Sequence, residues 1–285
     1  MQPTDLFAEK FAQAFYGREW PGPLAPHISE LSTDQAYQVQ DQVATRRIAQ
    51  GERVVGYKVG CTSAAIRAQF GLSEPISGRL FEPHIHAEGM KIECTQYVNC
   101  AIEPEMVLTT RADLHGIDLP DDQLVAAIDS VRPGIELHNF CFWYKPPTSQ
   151  ELICSGGIHA GLIIGDAAVE PHSLAFDSEI FSVYKDSAPV TAAPAREIMG
   201  GPLHSLRWLV NALTRRGSRL KKGSLIIPGS PVELVRVDRD VELGVEIEKV
   251  GGLVSVSYTH LRAHEPEAAV VCRLLLEKKM GGAGG

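Results

Sequence analysis

The chain is 285 residues long, with 44% hydrophobic residues, 22% charged residues and a formal net charge of −8 at pH 7. That length holds one large domain or two modest ones, and the apolar fraction is enough for a substantial buried core. An acidic balance with no Lys/Arg run excludes the electrostatic footprint of a nucleic-acid binder, and an anionic small substrate would then need a local cation.

Cysteines stand at 61, 94, 100, 141, 154 and 272. They form no CxxC pair and no metal-ligand rhythm with histidine, which argues against a zinc site or a disulfide framework and for a reducing, cytoplasmic setting. No stretch approaches about 18 uninterrupted apolar residues, and the N-terminus lacks a charged start followed by an apolar core. Neither a membrane span nor a secretion signal is expected.

In chain order, "TDLFAEKFAQAFYG" predicts an amphipathic helix with Thr4 as its cap. A second helix is predicted over "STDQAYQVQDQVATRRIAQG", capped by Ser32 or Thr33 and stopped by Gly51. Short β-type runs follow, separated by Gly and Pro: "RVVGYKVG", "YVNCAIEPEMVLTT", "GIELHNF", "IHAGLIIG", "FSVYKD", "SLIIPGS" and "VELGVEIEKVGGLVSVSY". Two clear helices interrupt them, "PDDQLVAAIDSV" and "GPLHSLRWLVNALTRRG". There is no internal repeat and no regular βαβ alternation. The expected class is α+β, mostly β: a mixed, mainly antiparallel sandwich or roll with a small helical N-terminal region.

Within "CAIEPEMVL", Glu103 and Glu105 sit two apart in a run otherwise fit for a buried strand. Strand side chains alternate faces, so the two carboxylates converge on one side, and such a pair needs a shared proton, a basic side chain or a divalent cation. A third acid, Glu136 in "RPGIELHNF", is also flanked by apolar residues. Three carboxylates on buried strands form a hard oxygen-donor set suited to Mg²⁺ or Mn²⁺. Upstream, Lys58 lies inside an apolar strand between Gly56 and Gly60, where a lysine rarely stands without a partner or a task. Each feature also has an ordinary reading: a solvated strand face for E-x-E, and a side chain snorkelling to water for Lys58.

From about Leu31 to about Val254 the ordered segments "LSTDQAYQVQ", "GYKVGCTS", "GRLFEP", "IEPEMVL", "PGIEL", "HAGLIIG", "GPLHSLRWLVNAL" and "LKKGSLIIPGS" resemble the fumarylacetoacetate hydrolase superfamily. The resemblance is to its 2-oxopent-4-enoate hydratase and oxalocrotonate decarboxylase branch. It implies that Glu103, Glu105 and Glu136 bind Mg²⁺ or Mn²⁺ and that Lys58 is the active-site lysine. It also implies a small 2-oxo or 2-hydroxydienoate acid as substrate and assembly as a homo-oligomer. A cation chelated by the carboxylate and 2-oxo oxygens of such an acid stabilises its enolate, after which water adds to the distant alkene carbon to give a 4-hydroxy-2-oxo acid. Decarboxylation or acylpyruvase-type C–C hydrolysis would use the same site, and a catalytically silent homologue would keep the fold without turnover.

The candidate substrate shell comprises His159 as proton carrier, with Ser63 and Arg79 as substrate contacts and His86 beside them. Three positions depart from the family pattern. Ile76 stands where an acid is usual, "CSGGIHAGLIIG" replaces a D-N-A-S stretch, and Pro228 takes the place of a threonine. The expected division is a helical region over 1–52, a catalytic β domain over 53–256 and a foreign tail over 257–285. That tail, "VSYTHLRAHE" onward, resembles translated sequencing-adapter read-through.

Overall fold

The computed structural model describes residues 3–19, 27–139, 146–237 and 239–258. Phe140, Cys141, Cys272 and tail residues 259–285 lie outside that set. The described chain opens with α1 (Pro3–Gly17) and α2 (Thr33–Ala49), followed by β1 (Val54–Gly60), α3 (Ala64–Phe70), β2 (Ile76–Phe81), β3 (Ile85–Ala87) and β4 (Ile92–Glu93). Next come β5 (Ala101–Thr110), α4 (Asp121–Ala127), β6 (Ile128–His138), α5 (Ser149–Cys154) and β7 (His159–Ile164). The last third holds β8 (Ile180–Lys185), β9 (Ala188–Pro194), α6 (Pro202–Arg215), β10 (Leu225–Ile227), β11 (Val235–Arg236), β12 (Val241–Ile247) and β13 (Gly251–Tyr258).

Local chemistry accounts for the helix starts. Ser32 closes a capping box on α2: its Oγ accepts from the Gln35 amide at 3.2 Å, while Gln35 Oε1 accepts from the Ser32 amide at 2.8 Å. Gly51 follows the helix at φ 97°, a conformation that disfavours a side chain. In α1 the helix begins at Pro3, so Thr4 lies in its first turn instead of preceding it.

Two sheets carry the rest. One has eight strands in the order β2-β1-β10-β5-β6-β7-β3, with β11 paired to β5, and the other has five in the order β4-β13-β12-β8-β9. Pairing is mostly antiparallel; β1/β10, β3/β7 and β13/β4 are parallel. The mixed α+β sandwich expected from the sequence is the observed architecture, and its larger sheet curls into a half-barrel.

Two expectations are corrected. The helix predicted through Val131 stops at Ala127, and Ile128–Val131 open the 11-residue β6. Leu108 faces Val131 and Thr109 faces Ser130 across the β5 ladder, and this pairing overrides local helix preference. At the other end, Ser257 and Tyr258 belong to β13 and not to the tail. The Ser257 hydroxyl is buried, donates to Arg239 O at 2.8 Å, and its residue pairs with Ile92.

Alternation along β5 decides what faces where. Ile102, Met106 and Leu108 enter the apolar cores, whereas Glu103, Glu105 and Val107 point to the other face, into the hollow of the curled sheet. Near that hollow α1, α2 and α5 share a core with Ile76 and Ala101.

The helical region is also fastened by a buried ion pair between Arg47 and Glu52 at 2.7 Å, with both side chains 8% exposed. The guanidinium stacks 4.1 Å from the Phe15 ring and 3.7 Å from the Phe81 ring. Burial pushes Glu52 up, but hydrogen bonds from His84 and Tyr16 and the Arg47 charge outweigh it and hold the carboxyl at about 2. Glu52→Gln is expected to cost about 3 kcal/mol at pH 7, because Arg47 is left buried without its counter-charge. A carboxyl held below its unfolded value contributes stability above about pH 4.5 and loses it as pH falls towards 2. Urea unfolding should therefore separate parent and variant at pH 7 and bring them together in acid; equal midpoints at pH 7 would refute this contribution. Among the described residues, no helix is long and apolar enough to cross a membrane.

Candidate active site

The β5/β6 ladder sets Glu103 directly opposite Glu136, and Glu105 opposite Gly134. Period-2 alternation then puts His138 on the same face as Glu136, and β7 brings His159 beside it through the His138↔His159 pairing. Lys58 arrives from β1, which lies two strands from β5, and its side chain reaches across the hollow.

Glycines make that reach possible. A Cβ at Gly78 would lie 2.2 Å from the Gly156 carbonyl oxygen and 3.1 Å from Lys58 Cγ. Gly157, at φ +74°, would put one 3.2 Å from Lys58 Cε. Gly56 of the G-x-K-x-G segment serves packing, because a Cβ there would overlap the Leu225 backbone on β10.

Lys58 Nζ donates to Glu136 Oε1 at 2.6 Å and to the Gly157 carbonyl at 3.2 Å. His159 Nδ1 lies 2.8 Å from the same Glu136 oxygen. On the other side, His138 Nε2 is 3.0 Å from Glu103 Oε2 and 3.4 Å from Glu136 Oε2. Glu105 Oε2 accepts from the Gly229 amide at 3.0 Å. Lys58, Glu105, Glu136, His138 and His159 are all buried, and Glu103 is partly exposed.

Burial alone would discharge these groups, and their mutual fields decide otherwise. For Lys58, desolvation is outweighed by the Glu136 and Glu103 carboxylates, so its pKa rises and it stays an ammonium. Glu136 is pushed up by burial but held well below the usual carboxylate range by Lys58, His138 and His159. Glu105 moves the other way: burial and the Glu136 and Glu103 charges raise it well above the ordinary value. His159 is lowered to about 4, first by desolvation and then by Lys58 and His138, although Glu136 opposes the shift.

The donor set fits a divalent cation. Among the described residues, Glu103, Glu136 and His138 each offer a ligand atom, all within 4.8 Å of one another. Glu105 Oε1 and Glu136 Oε2 are buried oxygens with no hydrogen-bond partner, the condition an ion relieves. Sequence reasoning missed His138, although it stands two residues after Glu136 in the quoted run and so shares its face.

The remaining candidates are placed differently. Ser63 Oγ caps α3 by accepting from the Ile66 amide at 3.2 Å. Arg79 is held by α2, with Nη2 2.6 Å from Asp41 Oδ1 and Nη1 3.2 Å from Gln40 Oε1. It lines a narrow cleft whose wall also includes His159 and Gly156. His86 lies on β3, and of its ring nitrogens Nε2 approaches Gly161. Ile76 is buried with the N-terminal helices, and the Pro228 carbonyl accepts the Ser205 hydroxyl at 2.5 Å.

Carboxylates, imidazoles and one ammonium thus converge in the hollow of the curled mixed sheet. No protein-family model matches the chain. It is 27% identical over 255 residues to the 2-keto-4-pentenoate hydratase of Paraburkholderia xenovorans (strain LB400), covering 88% of this chain and 94% of that protein. It superposes on the 4-oxalocrotonate decarboxylase of Pseudomonas putida G7, complexed with magnesium and adipate, at a TM-score of 0.85 and 25% identity, over 89% of this chain and 97% of that one. The fold is shared more distantly with fumarylpyruvate hydrolase from Pseudomonas aeruginosa in complex with Mn²⁺ and pyruvate, at a TM-score of 0.56 and 17% identity, over 72% and 89% of the two chains. These likenesses agree with the resemblance of the sequence to the hydratase and decarboxylase branch of the fumarylacetoacetate hydrolase superfamily.

Proposed function

We propose that the protein is a metal-dependent hydro-lyase that hydrates a 2-hydroxy-2,4-dienoate, in equilibrium with its 2-oxo-4-enoate form, to a 4-hydroxy-2-oxo acid. The observation that carries the reading is the convergence of Glu103, Glu105 and Glu136 with Lys58 on one sheet face, with two buried carboxylate oxygens lacking partners. The hydratase names of its relatives support it.

Glu103, Glu105 and Glu136 would hold Mg²⁺ or Mn²⁺, with His138 against them, and the bound ion supplies a Lewis-acid centre for the carboxylate and 2-oxo oxygens of the substrate. Lys58, kept charged by its carboxylate neighbours, donates a hydrogen bond or its proton to the developing enolate oxygen. His159 is neutral near pH 7, turns Nδ1 to Glu136 and leaves Nε2, buried and without a hydrogen-bond partner, to carry a proton. The proton lost from the 2-hydroxyl returns at the far end of the conjugated chain, and water then adds at C4. Arg79 is the candidate contact for a second carboxylate, which requires it to exchange Asp41 for substrate. Ser63 enters only through its place beside the lysine strand, its hydroxyl being engaged as a cap. A homo-oligomeric state accompanies the proposal through the resemblance and a cytoplasmic location through the cysteine pattern, and light scattering tests the first.

The test is loss of dienoate ultraviolet absorbance on mixing 2-hydroxypenta-2,4-dienoate with enzyme and Mg²⁺ or Mn²⁺, followed by product identification. A 4-hydroxy-2-oxo acid supports hydration. Release of CO₂ from an oxalocrotonate-type diacid would reassign the site to decarboxylation, the activity named for the structural neighbour. Metal binding without turnover on either acid would leave a silent homologue.

A further inference from the structure

Resting on the metal reading above, we propose that His138 is a direct nitrogen ligand in that site, which makes it a mixed nitrogen and oxygen centre. Such a centre favours Mn²⁺, Co²⁺ and Ni²⁺ over Mg²⁺ and Ca²⁺.

Position supplies the first argument. His138 is two residues from Glu136 on β6 and is 2% exposed, so its ring is held inside the hollow and not at its rim. Its Nε2 is the nitrogen turned towards both carboxylates, at 3.0 Å from Glu103 Oε2 and 3.4 Å from Glu136 Oε2. The two oxygens of Glu136 divide the work: Oε1 is taken by Lys58 and His159, and Oε2 remains on the side of His138 with no hydrogen-bond partner. A cation held by these carboxylates would therefore have Nε2 among its available donors, since the three ligand atoms lie within 4.8 Å of one another. His159 lies outside this cluster of ligand atoms, and its Nδ1 faces the Glu136 oxygen that Lys58 holds.

Donor chemistry supplies the second. Mg²⁺ and Ca²⁺ prefer an all-oxygen shell, whereas imidazole nitrogen strengthens binding along the series from Mn²⁺ through Co²⁺ to Ni²⁺. An imidazole beside three carboxylates shifts the preference without removing the charge that any divalent ion needs.

The experiment uses the full chain and its His138→Gln and His138→Leu variants, titrated calorimetrically with MgCl₂, MnCl₂ and NiCl₂. The Mn²⁺-loaded proteins are also examined by pulsed electron paramagnetic resonance for ¹⁴N coupling. The parent is expected to bind Ni²⁺ more tightly than Mg²⁺ and to show imidazole ¹⁴N coupling. His138→Gln should lose the coupling and weaken Ni²⁺ by roughly 10- to 100-fold, with Mg²⁺ changed less. The glutamine variant keeps a polar side chain of similar reach and tests the idea even if His138→Leu does not fold. Coupling that persists in His138→Gln, or is absent from Mn²⁺-loaded parent, overturns the inference and leaves His138 as a hydrogen-bond donor to the carboxylates. A parent that binds none of these ions overturns the metal reading and this inference together.

Discussion

Lys58→Met is expected to lower kcat by on the order of 10²- to 10⁴-fold, the cost of losing a positioned acid or base. Its ammonium is 2.6 Å from Glu136 and fixed by the Gly157 carbonyl, so no neighbouring group replaces it in place. Methionine fills the apolar channel that Gly78 and Gly157 leave for the lysine stem. The charge is another matter: Glu136 is fully buried, and stripping its partner costs roughly 3–5 kcal/mol. The variant should unfold at lower temperature than the parent without added metal and recover with Mn²⁺, whose affinity stays level or rises once a neighbouring cation is gone. Thermal unfolding with and without MnCl₂ and steady-state kinetics on the same preparation separate the two effects. Turnover within a few-fold of the parent on the true substrate would sink the assignment and shift proton transfer to His159.

Glu136→Gln is expected to abolish metal-induced thermal stabilisation and with it metal-dependent activity. Glu136 meets Lys58, His159 and His138 at once, so it is the hub through which the ammonium side and the ion side of the site are joined. Glutamine is isosteric and still accepts the Lys58 hydrogen bond, but it leaves a buried ammonium without its nearest counter-charge, at about 3 kcal/mol. A folded variant that binds Mn²⁺ as tightly as the parent in calorimetry would remove Glu136 from the ligand set. Glu103→Ala acts on the partly exposed side of the cluster and should spare the Lys58 pair, so comparing the two variants resolves ligand loss from charge loss.

Much of the scaffold was legible because its signals are local. Alternation along "CAIEPEMVL" placed both glutamates on one face, and the cap signal at Ser32 or Thr33 announced the start of α2. Where a local preference met a long-range partner, the partner won: "IDSV" reads as helix alone and becomes strand because β5 lies alongside it. The short helices α3 and α5 were missed for the same kind of reason, since each is a single capped turn or two whose stability comes from packing.

By itself the sequence determined the periodicity of the strands, the convergence of Glu103 with Glu105, and the unusual company of Lys58 among apolar residues. These follow from φ/ψ geometry and burial preference acting over a few residues. Only the tertiary structure decided that Lys58 meets Glu136 across 78 residues, that His138 joins the carboxylates, and that Ser63 and Arg79 are engaged by a helix cap and by Asp41. It also decided the charge of Lys58. Desolvation is a property of the strand a lysine sits in, but the opposing field comes from carboxylates on other strands, and their distance is set by the curl of the sheet.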